Sequence, residues 1–178
     1  MIRIERLDSE GLARETEALA GILHACVADG ASVGFVWPFT LEMARAFWTG
    51  PVAYGVAGGG RHLLVARLDG VVVGTAQLDF AGMPNQRHRA DVAKVLVHPT
   101  ARRRGIARRL MLALEEIARP GGRWLLTLDT RVGDAAQPLY AALGYELAGV
   151  IPFYAQAPED PSRFDGTAYM FKTLAAPR

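Results

Sequence analysis

The sequence predicts one α/β domain: a mixed, mostly antiparallel central sheet with a single parallel strand pair and helices on both faces. Three observations predict it. Runs with the two-residue period of strands interleave with runs of helical period along the 178 residues. One unit, Val92 to Asp129, reads strand–helix–strand, which demands a parallel pair joined by a right-handed crossover. The strands before it are joined by a short turn, which only antiparallel neighbours allow.

Each element follows in order. Ile2 to Leu7 alternates apolar and charged residues, as a half-buried strand does. Asp8 and Ser9 offer side-chain oxygens to cap a helix running to about Ala28, with Leu12, Leu19, Ile22, Leu23 and Cys26 on one face. Asp29-Gly30 ends it. Ala31 to Phe39 is an aromatic loop, and Thr40 caps a shorter helix through about Trp48. Gly50 to Gly60 is rich in glycine, contains Pro51 and reads as loop. Leu63–Leu68 and Val71–Phe80 form a hairpin around Asp69-Gly70, the strongest short turn signal for one.

Ala81 to Arg89 is a polar connection. Val92–Val97 is an apolar run that suits a strand buried on both faces. Arg104–Arg119 carries helical periodicity through Ile106, Leu110, Ala113, Leu114 and Ile117, and Pro120-Gly-Gly122 terminates it. Trp124–Asp129 reads as a buried strand, Ala135–Leu143 as a short helix stopped by Gly144, and Tyr145–Ile151 and Thr167–Leu174 as closing strands. No repeat or linker interrupts residues 1–178, so one domain is expected.

Composition narrows the function classes. The apolar fraction is 51% and the formal net charge +2, which suits a folded soluble protein and gives no overall pull on nucleic acid. The single cysteine, Cys26, excludes an intrachain disulfide and reads as core packing. His24, His62, His88 and His98 show no metal-ligand spacing, so no metal site is expected. No apolar run is long enough to cross a bilayer and the first residues are charged, so a cytoplasmic location without membrane partners is expected.

The chemistry is concentrated between the strand at Val92–Val97 and the helix after it. Arg102, Arg103, Arg104, Arg108 and Arg109 fall within eight residues with no acid among them. They crowd the helix N-terminus, where the macrodipole is already positive, while Glu115 and Glu116 lie towards its negative end. That inversion suits a helix whose first amides hold a polyanion, with Gly105 and Ala107 keeping the surface low enough for a diphosphate to approach. No GxxxxGK[ST] or GxGxxG is present, which excludes the ATP/GTP loop and the dinucleotide fingerprint.

Arg102-x-x-Gly105-x-Ala107, following Val95-Leu96-Val97, resembles the [RQ]-x-x-G-x-[GA] motif of the Gcn5-related N-acetyltransferases. Leu139-Tyr-Ala-Ala-Leu-Gly-Tyr145 is similar to that family's L-Y-x-x-x-G-[FY] signature. The resemblance covers roughly residues 60 to 174. Within the family, Gly30-Ala-Ser-Val-Gly-Phe35 and Leu126-Thr-Leu-Asp-Thr130 resemble the tabtoxin-resistance acetyltransferases. The resemblance implies an acyl-CoA N-acyltransferase fold whose parallel pair is splayed. It also implies acetyl-CoA as co-substrate, with the pantetheine arm along Val95, Leu96 and Val97 and the diphosphate on Arg102, Arg103, Arg104, Gly105, Ile106, Ala107 and Arg108. The family often dimerises, so a homodimer is an implied partner.

Acetyl transfer to an amine needs a neutral amine, a stabilised oxyanion and a proton for the leaving thiolate. Tyr140 is the candidate acid, placed by the resemblance beside the coenzyme sulfur. Asp129 is the candidate base, because it ends an apolar strand at the edge where α/β sheets bind ligands; partial burial would favour its proton uptake. Asp91 is the rival base, near where the family often has a glutamate. Gly133 stands where the family often has an asparagine, with Asp134 as a substitute. Phe35, Trp37 and Gln77 are candidates for the acceptor pocket, and Pro152-Phe-Tyr154 for its other wall. Three activities remain open: small-molecule N-acetylation, peptide N-acetylation, and non-catalytic binding of an anion or nucleic acid through the arginines.

Overall fold

The computed structural model describes residues 1–175. Its strands are β1 (Ile2–Leu7), β2 (Arg61–Leu68), β3 (Val71–Phe80), β4 (Arg89–Val97), β5 (Leu125–Arg131), β6 (Glu146–Ala157) and β7 (Asp160–Thr173). The helices are α1 (Ser9–Ala28), α2 (Leu41–Phe47), α3 (Ala53–Ala57), α4 (Ile106–Ala118) and α5 (Ala136–Ala142). All strands join one seven-stranded sheet in the order β1-β2-β3-β4-β5-β7-β6, antiparallel except for β4 beside β5.

Strand periodicity splits the core in two. Along β2, Leu63 and Val65 face one side while Leu64 and Ala66 face the other. The first face packs against α1 through Leu19 and Leu23 and against the turn after α2 through Trp48. The second packs against α4 and α5 through Leu110, Met111, Leu114 and Tyr140. Each fully buried leucine contributes about 1.5–3 kcal/mol. The caps follow the sequence: Asp8 accepts from the Gly11 amide at 2.7 Å and Thr40 from the Met43 amide at 3.1 Å.

Several segments differ from expectation. Gly50 to Gly60 is not all loop. Trp48–Val52 forms a π turn and α3 follows it, because buried Trp48 and Val52 anchor the chain and outweigh the poor propensity of glycine. Pro51 lacks an N–H, so the ladder widens there instead of continuing as α-helix. Helix α4 begins at Ile106, not Arg104, because Gly105 adopts φ 75° and turns the chain into it. Arg104 and Arg108 are therefore not neighbours on one helix. Strands β6 and β7 form a longer hairpin than expected and absorb Pro152-Phe-Tyr154. Proline is tolerated because β6 is the sheet edge, and the register slips between Ile151 and Ala155, where Phe153 has φ 54°.

Glu115 accounts for part of the inverted charge on α4. It is buried, and Lys172 of β7 reaches it at 2.6 Å, so this acid ties helix to sheet. Removing Lys172 alone takes the close partner from a buried carboxylate, at about 3–5 kcal/mol. Nearby, the Tyr145 hydroxyl is buried without a hydrogen-bond partner among the described residues. Tyr145→Phe is therefore expected to leave stability unchanged or raise it by about 1 kcal/mol in denaturant titration, since the ring stays and an unsatisfied group goes.

Candidate active site

The site opens where β4 and β5 part. They pair at only three positions, Arg89 with Leu125, Ala90 with Leu126 and Asp91 with Thr127. Beyond Asp91 nothing joins them, although β4 continues to Val97 and β5 to Arg131. A bulge bends β4 away: Lys94 has φ 50°, and the β3–β4 register slips between Thr75 and Gln77. The split opens a cavity of about 910 Å3 at the carboxyl ends of the parallel pair. For this reason β4 is not buried on both faces throughout: Val92 and Leu96 are buried, while Val95 and Val97 are half-exposed to the cavity.

One wall is the arginine turn. Val95, Leu96, Val97, Arg102, Arg103, Gly105, Ile106, Ala107 and Arg108 all line the cavity; Arg104 does not. Helix α4 approaches closely because β3 carries Gly74 beneath it, where a Cβ would stand 3.1 Å from Ile106 Cγ2 and 3.0 Å from the Leu96 carbonyl oxygen. Arg103 and Gly105 both have left-handed backbone, at φ 64° and 75°. Turns of this kind gather successive N–H groups into anion-binding concavities. Within α4 the first ladder bond is Arg109 N–H to the Gly105 carbonyl, at 3.1 Å. Among the described residues, the amides of residues 103–108 find no acceptor within the chain. A Cβ at Gly105 would meet nothing within 4 Å. One carboxylate does come near: Asp29 pairs with the Arg102 guanidinium, whose Nε also donates to the Val97 carbonyl at 3.3 Å. That carboxylate engages the side chain and leaves the turn's amides alone.

The opposite wall carries Asp129 and Tyr140. Tyr140 is only 6% exposed, and burial pushes its phenol well above the usual tyrosine range, so it keeps its proton at neutral pH. Asp129 is exposed rather than partly buried, and accepts from Thr167 Oγ1 at 3.1 Å. Asp91 lies outside the cavity walls, bonded to the Arg89 guanidinium and the Thr127 hydroxyl where β4 and β5 still pair. That ion pair occupies the carboxylate expected to rival Asp129. Gly133 and Asp134 both line the cavity, and Asp134 is engaged, accepting from the Ala136 amide at 3.1 Å and pairing with Arg131 at 3.3 Å.

The proposed acceptor residues lie elsewhere. Gln77 is 1% exposed inside β3 and does not line the cavity. The Phe35 ring packs on Phe39 and Phe47, at 4.5 and 5.3 Å between centroids, because an apolar ring is stabler in that cluster than on a wet wall. Trp37 is half-exposed beside His24, outside the walls. The backbone of this loop matters more. Ala31 to Gly34 lines the cavity, the Trp37 amide donates to the Pro158 carbonyl at 2.7 Å, and Arg131 donates to the Gly30 carbonyl at 3.1 Å. Of Pro152-Phe-Tyr154 only Tyr154 lines the cavity.

Cys26 and Lys94 also line the cavity, and neither belongs to a motif. Cys26 donates to the Val97 carbonyl at 3.5 Å, and burial pushes its thiol up, which makes it a poor nucleophile. Lys94 presents an ammonium that burial pushes below the ordinary lysine range. Its signal in the sequence is a lone cation inside Val92-Ala-Lys-Val-Leu-Val97.

Comparison with known proteins settles the family. The family model described as Acetyltransferase (GNAT) family matches residues 31–145. The chain belongs to the GNAT acetyltransferase family. It is 35% identical to an N-acetyltransferase encoded in the hisH-hisA intergenic region of Azospirillum brasilense, over 77% of this chain and 80% of that protein. A ribosomal-protein-alanine N-acetyltransferase from Brucella melitensis superposes with a TM-score of 0.74 at 26% identity, covering 97% of this chain and 99% of that one. The acetyltransferase yncA of Salmonella typhimurium, solved with acetyl-CoA, superposes at 0.73 and 21% identity, covering 99% and 98%. The sheet with its one splayed parallel pair is the GNAT fold, and the chain is an acetyl-CoA-dependent N-acyltransferase. Among the described residues no three His, Cys, Asp or Glu side chains cluster to hold a metal ion, and no helix is long and apolar enough to cross a membrane.

Proposed function

We propose that this GNAT chain transfers the acetyl group of acetyl-CoA directly to the primary amine of a small molecule, such as an amino acid, amine or antibiotic-like compound. One observation carries the reading: unpartnered amides at residues 103–108 open onto the same cavity as Asp129 and Tyr140. Acetyl-CoA supplies an activated acyl carbon. Residues 103–108 hold its diphosphate, with Arg103 and Arg108 adding charge, and the half-exposed edge of β4 at Val95–Val97 hydrogen-bonds its arm. Asp129 accepts a proton from the incoming ammonium, directly or through water. As the C–N bond forms and the C–S bond breaks, Tyr140 Oη gives its proton to sulfur, and the acetylated nitrogen passes its surplus proton to the phenolate through water, leaving an amide and a free thiol. Phosphate capture by free helix amides and a left-handed turn needs no side-chain specificity.

A small acceptor is favoured over a peptide because the bonds from Trp37 to Pro158 and from Arg131 to Gly30 tie the α1–α2 loop to the other side of the cavity. The Brucella relative, a ribosomal-protein-alanine N-acetyltransferase, keeps a protein or peptide acceptor as the second reading. Mass spectrometry of an amine and peptide library incubated with acetyl-CoA tests both: acetylated small amines support the first, and acetylated peptide N-termini alone replace it with the second.

A homodimer through β6 accompanies this reading. This edge strand exposes Leu147, Val150, Ile151 and Phe153, and an apolar open edge invites strand or face pairing. Light scattering is expected to give a dimer for the native chain and a monomer for Ile151→Lys. A native monomer would remove the dimer without touching the chemistry.

A further inference from the structure

Among the described residues, Lys94 is an ammonium with no carboxylate within ion-pair distance. It sits in the β4 bulge at φ 50°, a conformation side-chain-bearing residues rarely adopt. Among the described residues it makes no ion pair or hydrogen bond; it sits over two aromatic rings, with Nζ 5.5 Å from the centroid of Phe47 and 5.9 Å from that of Phe35. The α1–α2 loop passes it at Gly34, where a Cβ would stand 3.7 Å from Nζ. Holding a half-buried ammonium on two rings alone is costly, and an apolar side chain would suit those rings better.

The other cations of the cavity are committed. Arg102 pairs with Asp29, and Arg131 with Asp134 and Asp165. Arg103 and Arg108 belong to the diphosphate turn. Lys94 and Asp129 line the same cavity without forming an ion pair; Asp129, like Asp79, offsets part of the fall that burial imposes on the ammonium, and Arg61 adds to it. Opposite charges held apart across a cavity complement a ligand that is itself both cation and anion.

We infer that Lys94 binds a carboxylate on the acceptor, so that the preferred acceptors are amino carboxylates, with the amine towards Asp129 and the carboxylate on Lys94 Nζ. This rests on the acetyl-transfer reading above. It makes Lys94 a specificity residue: the carboxylate is bound before and during transfer alike, so its loss acts on KM more than on kcat.

The test compares α-, β- and γ-amino acids with their carboxamides, which keep the amine and the size but lose the anion. For the native enzyme, kcat/KM for the best amino acid is expected to exceed that for its carboxamide by about 10- to 100-fold, the range of a charge-assisted contact. Lys94→Met keeps the stem on Phe35 and Phe47 and is expected to abolish that preference by raising KM for the acid. Calorimetric CoA binding by Lys94→Met checks that the cavity is still folded, and Lys94→Arg should restore part of the preference. CoA binding with acetylation of amines that shows no preference for the acid, or a preference that survives in Lys94→Met, overturns the inference alone. Failure of the native protein to bind CoA or acetylate any amine overturns the transferase reading and the inference together.

Discussion

Tyr140→Phe is expected to lower kcat for acetyl transfer by about 100- to 10,000-fold, the range of a positioned general acid, while CoA affinity and fold are retained. The phenol is suited to the role by its surroundings. It is buried at the base of the cavity, its hydroxyl makes no hydrogen bond among the described residues, and burial holds its proton. Phenylalanine keeps the packing against Tyr145, 6.1 Å away between centroids. The loss therefore reads out in thiol release and not in calorimetric CoA binding; unchanged turnover would assign the proton to water. The raised pKa also fixes a sign for stability. Below about pH 10 the phenol is protonated in folded and unfolded chains alike, so it adds no pH dependence there. Above that, the unfolded phenol ionises while the folded one resists, so stability falls as pH rises. Tyr145, pushed up by the same burial, acts in the same direction, and phenylalanine at either position should flatten that alkaline decline.

The framework was legible because its signals are local and agree with one another. Asp8 and Thr40 act as caps where they stand in the sequence, Asp69-Gly70 turns the β2–β3 hairpin, and the apolar runs at Val92 and Trp124 became the parallel pair. What escaped depends on contacts distant in sequence. The π turn at Trp48 exists because that ring is buried against α1, which glycine content cannot reveal. Gly105 at a left-handed φ moved the start of α4 by two residues and took Arg104 off the helix. The length of β6 comes from its partner β7, not from its own pattern, which is exposed along most of its face.

In the site, the arginine turn was legible because it is local: one short segment supplies the glycine, the arginines and the amides. The opposite wall is assembled from separate segments and is less legible. Aromatic content pointed to Phe35 and Trp37, but one ring is taken up by a hydrophobic cluster and the other stays outside the walls. A carboxylate near the parallel strands pointed to Asp91, but a residue two places away, Arg89, takes it. Lys94 stood unremarked inside an apolar strand, although a lysine at such a place is costly unless something anionic meets it.

Ala107→Glu separates the two explanations of the arginine turn, because only one of them predicts a loss of CoA affinity. Ala107 lies in the first turn of α4, which contains no acid, and it lines the cavity. A carboxylate there complements the positive end of the helix and sits among arginines, so thermal stability is expected to hold or rise, by about 0.3–1 kcal/mol. Were the arginines only a solvated basic face, that gain would be the whole effect. If the amides of residues 103–108 hold a diphosphate, the same carboxylate places a fixed negative charge within a few ångströms of two more. At the effective dielectric of a protein surface this costs on the order of 100-fold in CoA affinity. Calorimetry should therefore show a protein that is at least as stable as the native one and nearly unable to bind CoA. The defect should ease in high salt, where screening weakens the repulsion. A stable Ala107→Glu protein with native CoA affinity would place the diphosphate away from α4. The exposed arginines would then be left as charge that keeps the fold in solution.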